Sequence, residues 1–319
     1  MKLRPQWLCQ LIARFDYGLV LPGLAKLPPG LAKWPLRLRG LINWAFDLEW
    51  RTITLRHGYI RSATLQAMRE IAKLRGNGWP RWWTLRRFVC ASREECDALR
   101  LATTNFNQLA WTGRGLDDVV TATRRGQGVV LLTGHFDSLY MGLMVLAKHG
   151  VIVNLMSSKI MEDERVPPSI RDLFARKIGT MAQQFSPGRV LHFEDGMKPF
   201  IDALKQGEVL VIACDAPSVT EGRASTVDFL GRRFLMAPGP EFFARKTQAL
   251  VSLYSCVQKG DLSFEIECSP LLSLEEGGLQ KAFDCLDVKI RKEPWRWWAA
   301  DLYRTFPEAA SNEQRTAHS

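Results

Sequence analysis

The chain has no closely paired cysteines: Cys9, Cys90, Cys96, Cys214, Cys256, Cys268 and Cys285 include no C-x-x-C spacing. This argues against a zinc site and against a disulfide framework. Cysteines inside apolar runs such as VLVIACD (209–215) read as reduced, mostly buried thiols of a cytosol-facing protein. There is also no run of about 18 uncharged apolar residues, so the sequence offers no membrane span. The longest candidate, Tyr17 to Ala25, is short and contains Pro22. A secretory leader's apolar core is missing, because Arg14 and Asp16 interrupt the N-terminal run early. No G-x-S-x-G elbow occurs, which disfavours a serine hydrolase. The glycines of GRGLDDVVTATRRGQG (113–128) have neither Walker nor dinucleotide spacing.

The 319 residues carry a formal charge of +10, with 46% hydrophobic and 24% charged residues. Such a chain folds into one large globular domain, and its charge favours acidic partners: nucleic acid, an anionic membrane face or an acidic carrier protein. Eleven tryptophans are many for this length, and several adjoin arginine, in WPRWWTLRRF (79–88) and PWRWWAADLYR (294–304). Trp beside Arg suits a bilayer's headgroup layer, and suits ordinary cation–π packing equally well. Nucleic-acid binding rests on charge and interleaved aromatics alone, with no RNP-like, helix-turn-helix or zinc pattern behind it, so no nucleic-acid partner is expected.

Residues 1–50 alternate basic and apolar pieces between prolines, which fits a segment lying in a bilayer interface or capping a groove. Helices packed on their own domain fit the same composition. Residues 41–75 read as mostly helical, ending near Gly76-Asn77-Gly78. A second helical stretch is predicted over Arg93 to Trp111, opened by Ser92 and Glu95 at capping-box spacing and broken by Thr112 to Gly115. From about residue 117, strand-length apolar runs alternate with amphipathic segments: GVVLLT, a helix 139–148, VIVNLM, helices 169–178 and 196–205, EVLVIACD, a helix 239–248, LVSLYSCV and LSFEIEC. That rhythm predicts α/β architecture with a largely parallel sheet. The tail SNEQRTAHS is polar and predicted disordered.

Parallel sheets carry their sites where strands end and helices begin. His135 and Asp215 both fall just after such predicted strands. A histidine there can serve as a general base, since its ordinary pKa near 6.5 permits proton transfer at neutral pH. It requires a carboxylate to hold its tautomer. Asp137 is nearest in sequence, and Asp215 ends another strand.

The segment LLTGHFDSLYMG (131–142) resembles the first block of the bacterial lipid A late acyltransferases, within the lysophospholipid acyltransferase superfamily, whose motif is H-x-x-x-x-D/E. LFARKIG (173–179) is similar to the block carrying that family's arginine, which places Arg176 there. FIDALKQGEVLVIACD (200–215), GRASTVDFLGRRFLMAPGPEFFARKTQALVSLY (222–254) and KEPWRWWAADLYRTF (292–306) resemble the later blocks, in order, so the likeness covers roughly residues 20 to 306. The resemblance implies an αβα sandwich of the glycerolipid acyltransferase type, mostly parallel, with a helical N-terminal region. Residues 1–50 would be the membrane-interface or groove-capping segment. Residues 51–306 would be the acyltransferase-like domain, helical to about 115, and 307–319 the tail. It implies peripheral attachment to the cytoplasmic face of the bacterial inner membrane. It also implies acyl transfer from acyl carrier protein or acyl-CoA to a hydroxyl or amine of a lipid or glycolipid, with no cofactor or metal.

His135 would be the base, with Asp137 or Asp215 orienting it, and Tyr140, Arg176 and Arg223 would contact substrate. One position departs from the motif: Tyr140 stands where the acid belongs. A neutral phenol, with an ordinary pKa near 10, supplies no negative charge to an imidazolium. Either another carboxylate rebuilds the pair, or the chain is a catalytically inactive, membrane-associated lipid-binding relative.

Overall fold

Among the described residues, six α-helices precede the sheet. A computed structural model describes residues 3–101, 109–217 and 224–309. Its N-terminal helices are α1 (Gln6–Phe15), α2 (Leu21–Ala25), α3 (Pro29–Phe46), α4 (Trp50–Thr54), α5 (Ile60–Arg75) and α6 (Pro80–Arg100). The strands that follow are β1 (Ala110–Arg114), β2 (Val129–Thr133), β3 (Val153–Ser157), β4 (Val190–His192), β5 (Val209–Ala213), β6 (Ser225–Phe229), β7 (Arg232–Met236), β8 (Leu250–Gly260) and β9 (Ser263–Cys268). Seven of them form one sheet in the order β1-β9-β8-β2-β5-β3-β4, parallel except for the β8–β9 pair. β6 and β7 form a separate antiparallel hairpin.

Strands buried on both faces read as unbroken apolar runs, and β2 is buried at all five positions. On one face Val130, Leu132, Leu210 and Ile212 pack against Phe200 of α10 (Lys198–Lys205), Phe243 of α11 (Gly239–Thr247) and Leu286 of α12 (Gly278–Lys292). On the other, Val129, Leu131, Val209 and Val211 meet Val119 of α7 (Leu116–Arg124), Leu143 of α8 (Leu139–Lys148) and Met181 of α9 (Pro168–Phe185). The result is the α/β sandwich with a helical N-terminal region that the strand rhythm and the resemblance predict. α8 after β2 and α11 after β5 lie on opposite faces, so a crevice opens where these two neighbouring strands end.

The N-terminal helices pack on the domain and also present apolar side chains outward. Tyr17, Leu21, Ala32 and Leu36 join Cys96, Ile170 and Leu173 in a third buried cluster. α3 runs through Pro35, and its outer face leaves Leu31, Trp34, Leu38 and Phe46 exposed, as α1 leaves Trp7 and Leu11.

Two expectations fail. Ser92 and Glu95 open no helix: α6 starts at Pro80, directly after the Gly76–Gly78 break, and both residues lie inside it. Their side chains bond the buried guanidinium of Arg39 instead, at 3.0 and 2.7 Å. Trp111 belongs to β1, an edge strand exposed at every position, which carries no alternating pattern for a reader to find.

Arg39 also grips Asp16 through two bonds of 2.7 and 2.6 Å and lies over the Tyr17 ring. Removing one partner of a buried ion pair leaves an uncompensated charge. Arg39→Leu is expected to cost about 3–5 kcal/mol, read as a lowered denaturant midpoint with an unchanged slope; a loss under about 1 kcal/mol would show that the network contributes little to holding α3 on α6.

Candidate active site

The register of two neighbouring strands brings the site together. β2 and β5 pair in parallel from Val129 opposite Val209 to Thr133 opposite Ala213, and the Cys214 amide continues the ladder by donating to the Thr133 carbonyl at 2.8 Å. The same offset carried two residues further sets His135 beside Asp215. The imidazole Nδ1 lies 2.7 Å from Asp215 Oδ1, and the His135 backbone amide donates to Asp215 Oδ2 at 2.7 Å. A Cβ at Gly134 would stand 2.9 Å from a Leu286 methyl and 3.4 Å from Asp215 Oδ2, so the corner is closely packed and a larger residue would require the Leu286 methyl to shift.

Asp215 is fully buried and also accepts a 2.8 Å hydrogen bond from the indole of Trp297, itself fully buried. Burial alone would raise its pKa, but His135 and the converging donors outweigh that and hold the carboxyl below its ordinary value. An ionised carboxylate only accepts, so Nδ1 must carry the proton and Nε2 keeps its lone pair. For His135, burial pulls the pKa down while the Asp215 charge and hydrogen bond push it up, and the net shift is upward from 6.5. The side chain is 35% exposed, toward the cleft it lines.

Of the two carboxylates considered from sequence, Asp137 is engaged elsewhere. Its buried carboxylate is shared by the guanidinium groups of Arg93 and Arg296 and accepts from the Gln258 amide at 3.1 Å. Its backbone is left-handed at φ 47°, an uncommon conformation for a residue with a side chain, and its amide bonds the Arg296 carbonyl at 2.9 Å. Asp137 therefore fastens the turn that presents His135, and orients no imidazole. The local sequence reading misses this because proximity along a turn says nothing of which way a left-handed residue points.

The cleft in front of His135 encloses about 1110 Å³ between β3, β5, α9 and α11. Its walls are mainly apolar, with Leu155, Met156, Phe174, Met181, Ile212 and Phe243 among them. It is large enough for a drug-sized or fatty ligand. Tyr140 lines it too and lies under Lys177, whose Nζ sits 3.8 Å from the ring centroid. Lys177 is buried and ion-pairs with Glu94 at 3.8 Å; burial pushes the Glu94 carboxyl up to about 7 against the pull of Lys177. Arg176 is exposed, one residue and about 100° around α9 from this wall, with Nε donating to the Asp172 carbonyl. The basic side chains lining the cleft are Lys177 and, paired with Glu241 at 2.6 Å, Arg245. Arg223 lies outside the described residues.

Sequence reasoning also misses Trp297 and Glu94. Trp297 stands in the Trp/Arg cluster PWRWW, read there for its surface character. Glu94 carries no local signal, being one acid on an amphipathic helix.

The mostly parallel α/β sandwich thus sets a His–carboxylate pair at adjoining strand ends, facing an apolar cleft. The model of the bacterial lipid A biosynthesis acyltransferase family matches residues 97–297, and the chain belongs to that family. No curated protein matches the chain.

The two competing effects on His135 can be separated. Its NMR titration in the native protein is expected above 6.5, and Asp215→Asn should bring it to 6.5 or below, because burial then acts unopposed. An unchanged midpoint in the variant would show that Asp215 does not set the charge of the ring.

Proposed function

We propose that the protein moves a fatty acyl chain from a thioester, acyl carrier protein or acyl-CoA, to a hydroxyl or amine of a lipid or glycolipid. The observation that carries this is the bonded pair of His135 and Asp215, in which another carboxylate stands in for the acid that Tyr140 replaces. Nε2 of His135 takes the proton from the acceptor as its oxygen or nitrogen attacks the thioester carbonyl. The tetrahedral intermediate collapses with cleavage of the carbon–sulfur bond, and the imidazolium returns the proton to the leaving thiolate. No acyl-enzyme forms. Asp215 is a positioning residue: it holds the tautomer and stabilises the imidazolium. The apolar walls suit the acyl chain, and the Lys177 ammonium suits an anionic group of the substrate or the developing oxyanion. Tyr140 lines the same cleft beside that ammonium, where a phenol can pack against substrate.

The inactive-relative reading draws its force from Tyr140; the carboxylate of Asp215 bonded to His135 supports the catalytic reading instead. The donor and the acceptor site are read here from chemistry: a basic surface suits an acidic carrier protein, and outward-facing Trp, Leu and Phe on α1 and α3 suit an anionic membrane at the cytoplasmic face. No helix among the described residues is long and apolar enough to cross a membrane.

Labelled acyl-carrier-protein thioester or acyl-CoA, incubated with the protein and a lipid extract, should yield a labelled lipid. His135→Ala and Asp215→Asn should each lower the rate by about 10²–10⁴-fold, while Tyr140→Phe retains most of it. Transfer that survives His135→Ala would sink the mechanism, and no transfer by the native protein from either donor would return the inactive reading. For the membrane, Trp7→Glu together with Trp34→Glu should abolish flotation with vesicles containing anionic lipid and leave the thermal midpoint unchanged. Those two side chains are 67% and 71% exposed, so their loss removes no core.

A further inference from the structure

A second cavity of about 860 Å³ lies between the outer faces of α3 and α6. One face of α6 lines the compartment beside His135 with Arg87, Glu94 and Leu99, and the other lines this second cavity with Arg86, Cys90 and Asp97. The second cavity is therefore separate from the catalytic cleft, with the helix as partition.

Its chemistry is amphiphilic. Trp34, Leu38 and Trp82, all exposed, form apolar walls. Lys33, Arg37 and Arg86 stand around them, and none of the three enters an ion pair among the described residues. Arg37 and Arg86 are instead held over the Trp34 and Trp295 rings, at 4.9 and 3.6 Å, so their positions are set while their charge stays unmatched by carboxylate. Deeper in, Arg93 and Gln258 line the cavity, and each has a buried polar atom without a hydrogen-bond partner, Nε and Oε1. A buried donor and acceptor left unmet are costly and favour a ligand that meets them.

We propose that this cavity binds the headgroup of an anionic phospholipid, with the phosphate against Lys33, Arg37 and Arg86, the glycerol end near Gln258, and the first carbons of the chains along Trp34 and Trp82. Charge complementarity selects the occupant: six basic side chains against two carboxylates, Asp97 and Asp261, line the cavity beside its apolar walls, and that excess of positive charge matches a phosphate carried on a hydrocarbon. The site deepens the membrane reading and rests on it only for the source of the ligand. It does not depend on acyl transfer.

The probe is dihexanoyl phosphatidylglycerol, kept below its micelle concentration so that no bilayer is present, titrated into the full chain by calorimetry. Dihexanoyl phosphatidylcholine and inorganic phosphate form the comparison arms. Phosphatidylglycerol should bind at least about tenfold more tightly than either, since charge-assisted bonds to phosphate and burial of the chain both count. The pair Lys33→Gln and Arg37→Gln, both exposed, should weaken it about tenfold, as should Trp82→Ala alone, while His135→Ala leaves it unchanged. Equal binding of phosphatidylcholine would overturn the charge selection, and equal binding of phosphate would overturn the lipid. Displacement of a bound probe by acyl carrier protein would reassign the cavity to protein docking. Loss of the probe site with vesicle flotation intact would separate this proposal's failure from that of the membrane reading.

Discussion

The parallel pairing of β2 with β5 is the constraint on which the chemistry depends. The two strands end at the same level, at the buried Thr133 and the partly buried Ala213, and each then turns out of the sheet within two residues. A parallel ladder permits no slippage here without inverting every side chain of a strand buried on both faces. A one-residue slip would put Leu132 and Val130 on the wrong side and Asp215 out of reach of the imidazole. The geometry of the pair thus follows from the strand register, which the close packing of side chains on both faces fixes, and the hydrogen bonds at the end of the ladder continue it.

Buried charges then fix what surrounds that pair. Asp137 ties the His135 turn to α6 through Arg93 and to the C-terminal segment through Arg296. Arg87, itself buried, pairs with Glu49 and lies 3.6 Å from Asp301, which Arg51 also bonds at 2.7 Å. Asp301 thus serves as a carboxylate that binds α4 and α6 to the C-terminal segment. Ion pairs of this kind contribute little net stability over apolar packing, but leaving one half alone is costly, so they restrict how the helices can be arranged on the sheet.

Much of this was readable before any coordinates. Strands β2 and β5 announce themselves because strands buried on both sides are unbroken runs of Val, Ile and Leu, and helices 139–148 and 239–248 are recovered nearly to the residue. β1 was not, because AWTGR is exposed throughout and lacks both burial and alternation. Choosing between Asp137 and Asp215 needed the strand register, which is a long-range property. Placing Lys177 in the cleft instead of Arg176 needed the phase of α9 to within one residue. Ser92 and Glu95 matched a capping box by spacing, yet their partner, Arg39, lies more than fifty positions away in sequence. Local rules hold where local physics decides, and each miss falls where a distant side chain claims a group first.

The strand order also has a consequence for how the chain is made. β2 and β3 follow one another in sequence but are not neighbours in space, because β5 lies between them. During synthesis they emerge with an open slot at the centre of the sheet, which stays unfilled until residues 209–213 have followed. Two apolar strand edges are therefore held apart, or paired wrongly, for that interval, and non-local parallel pairing is slow to form. The interval closes with the same event that creates the active pair, because the strand that fills the slot is the one that delivers Asp215. An incompletely folded chain then has no oriented imidazole.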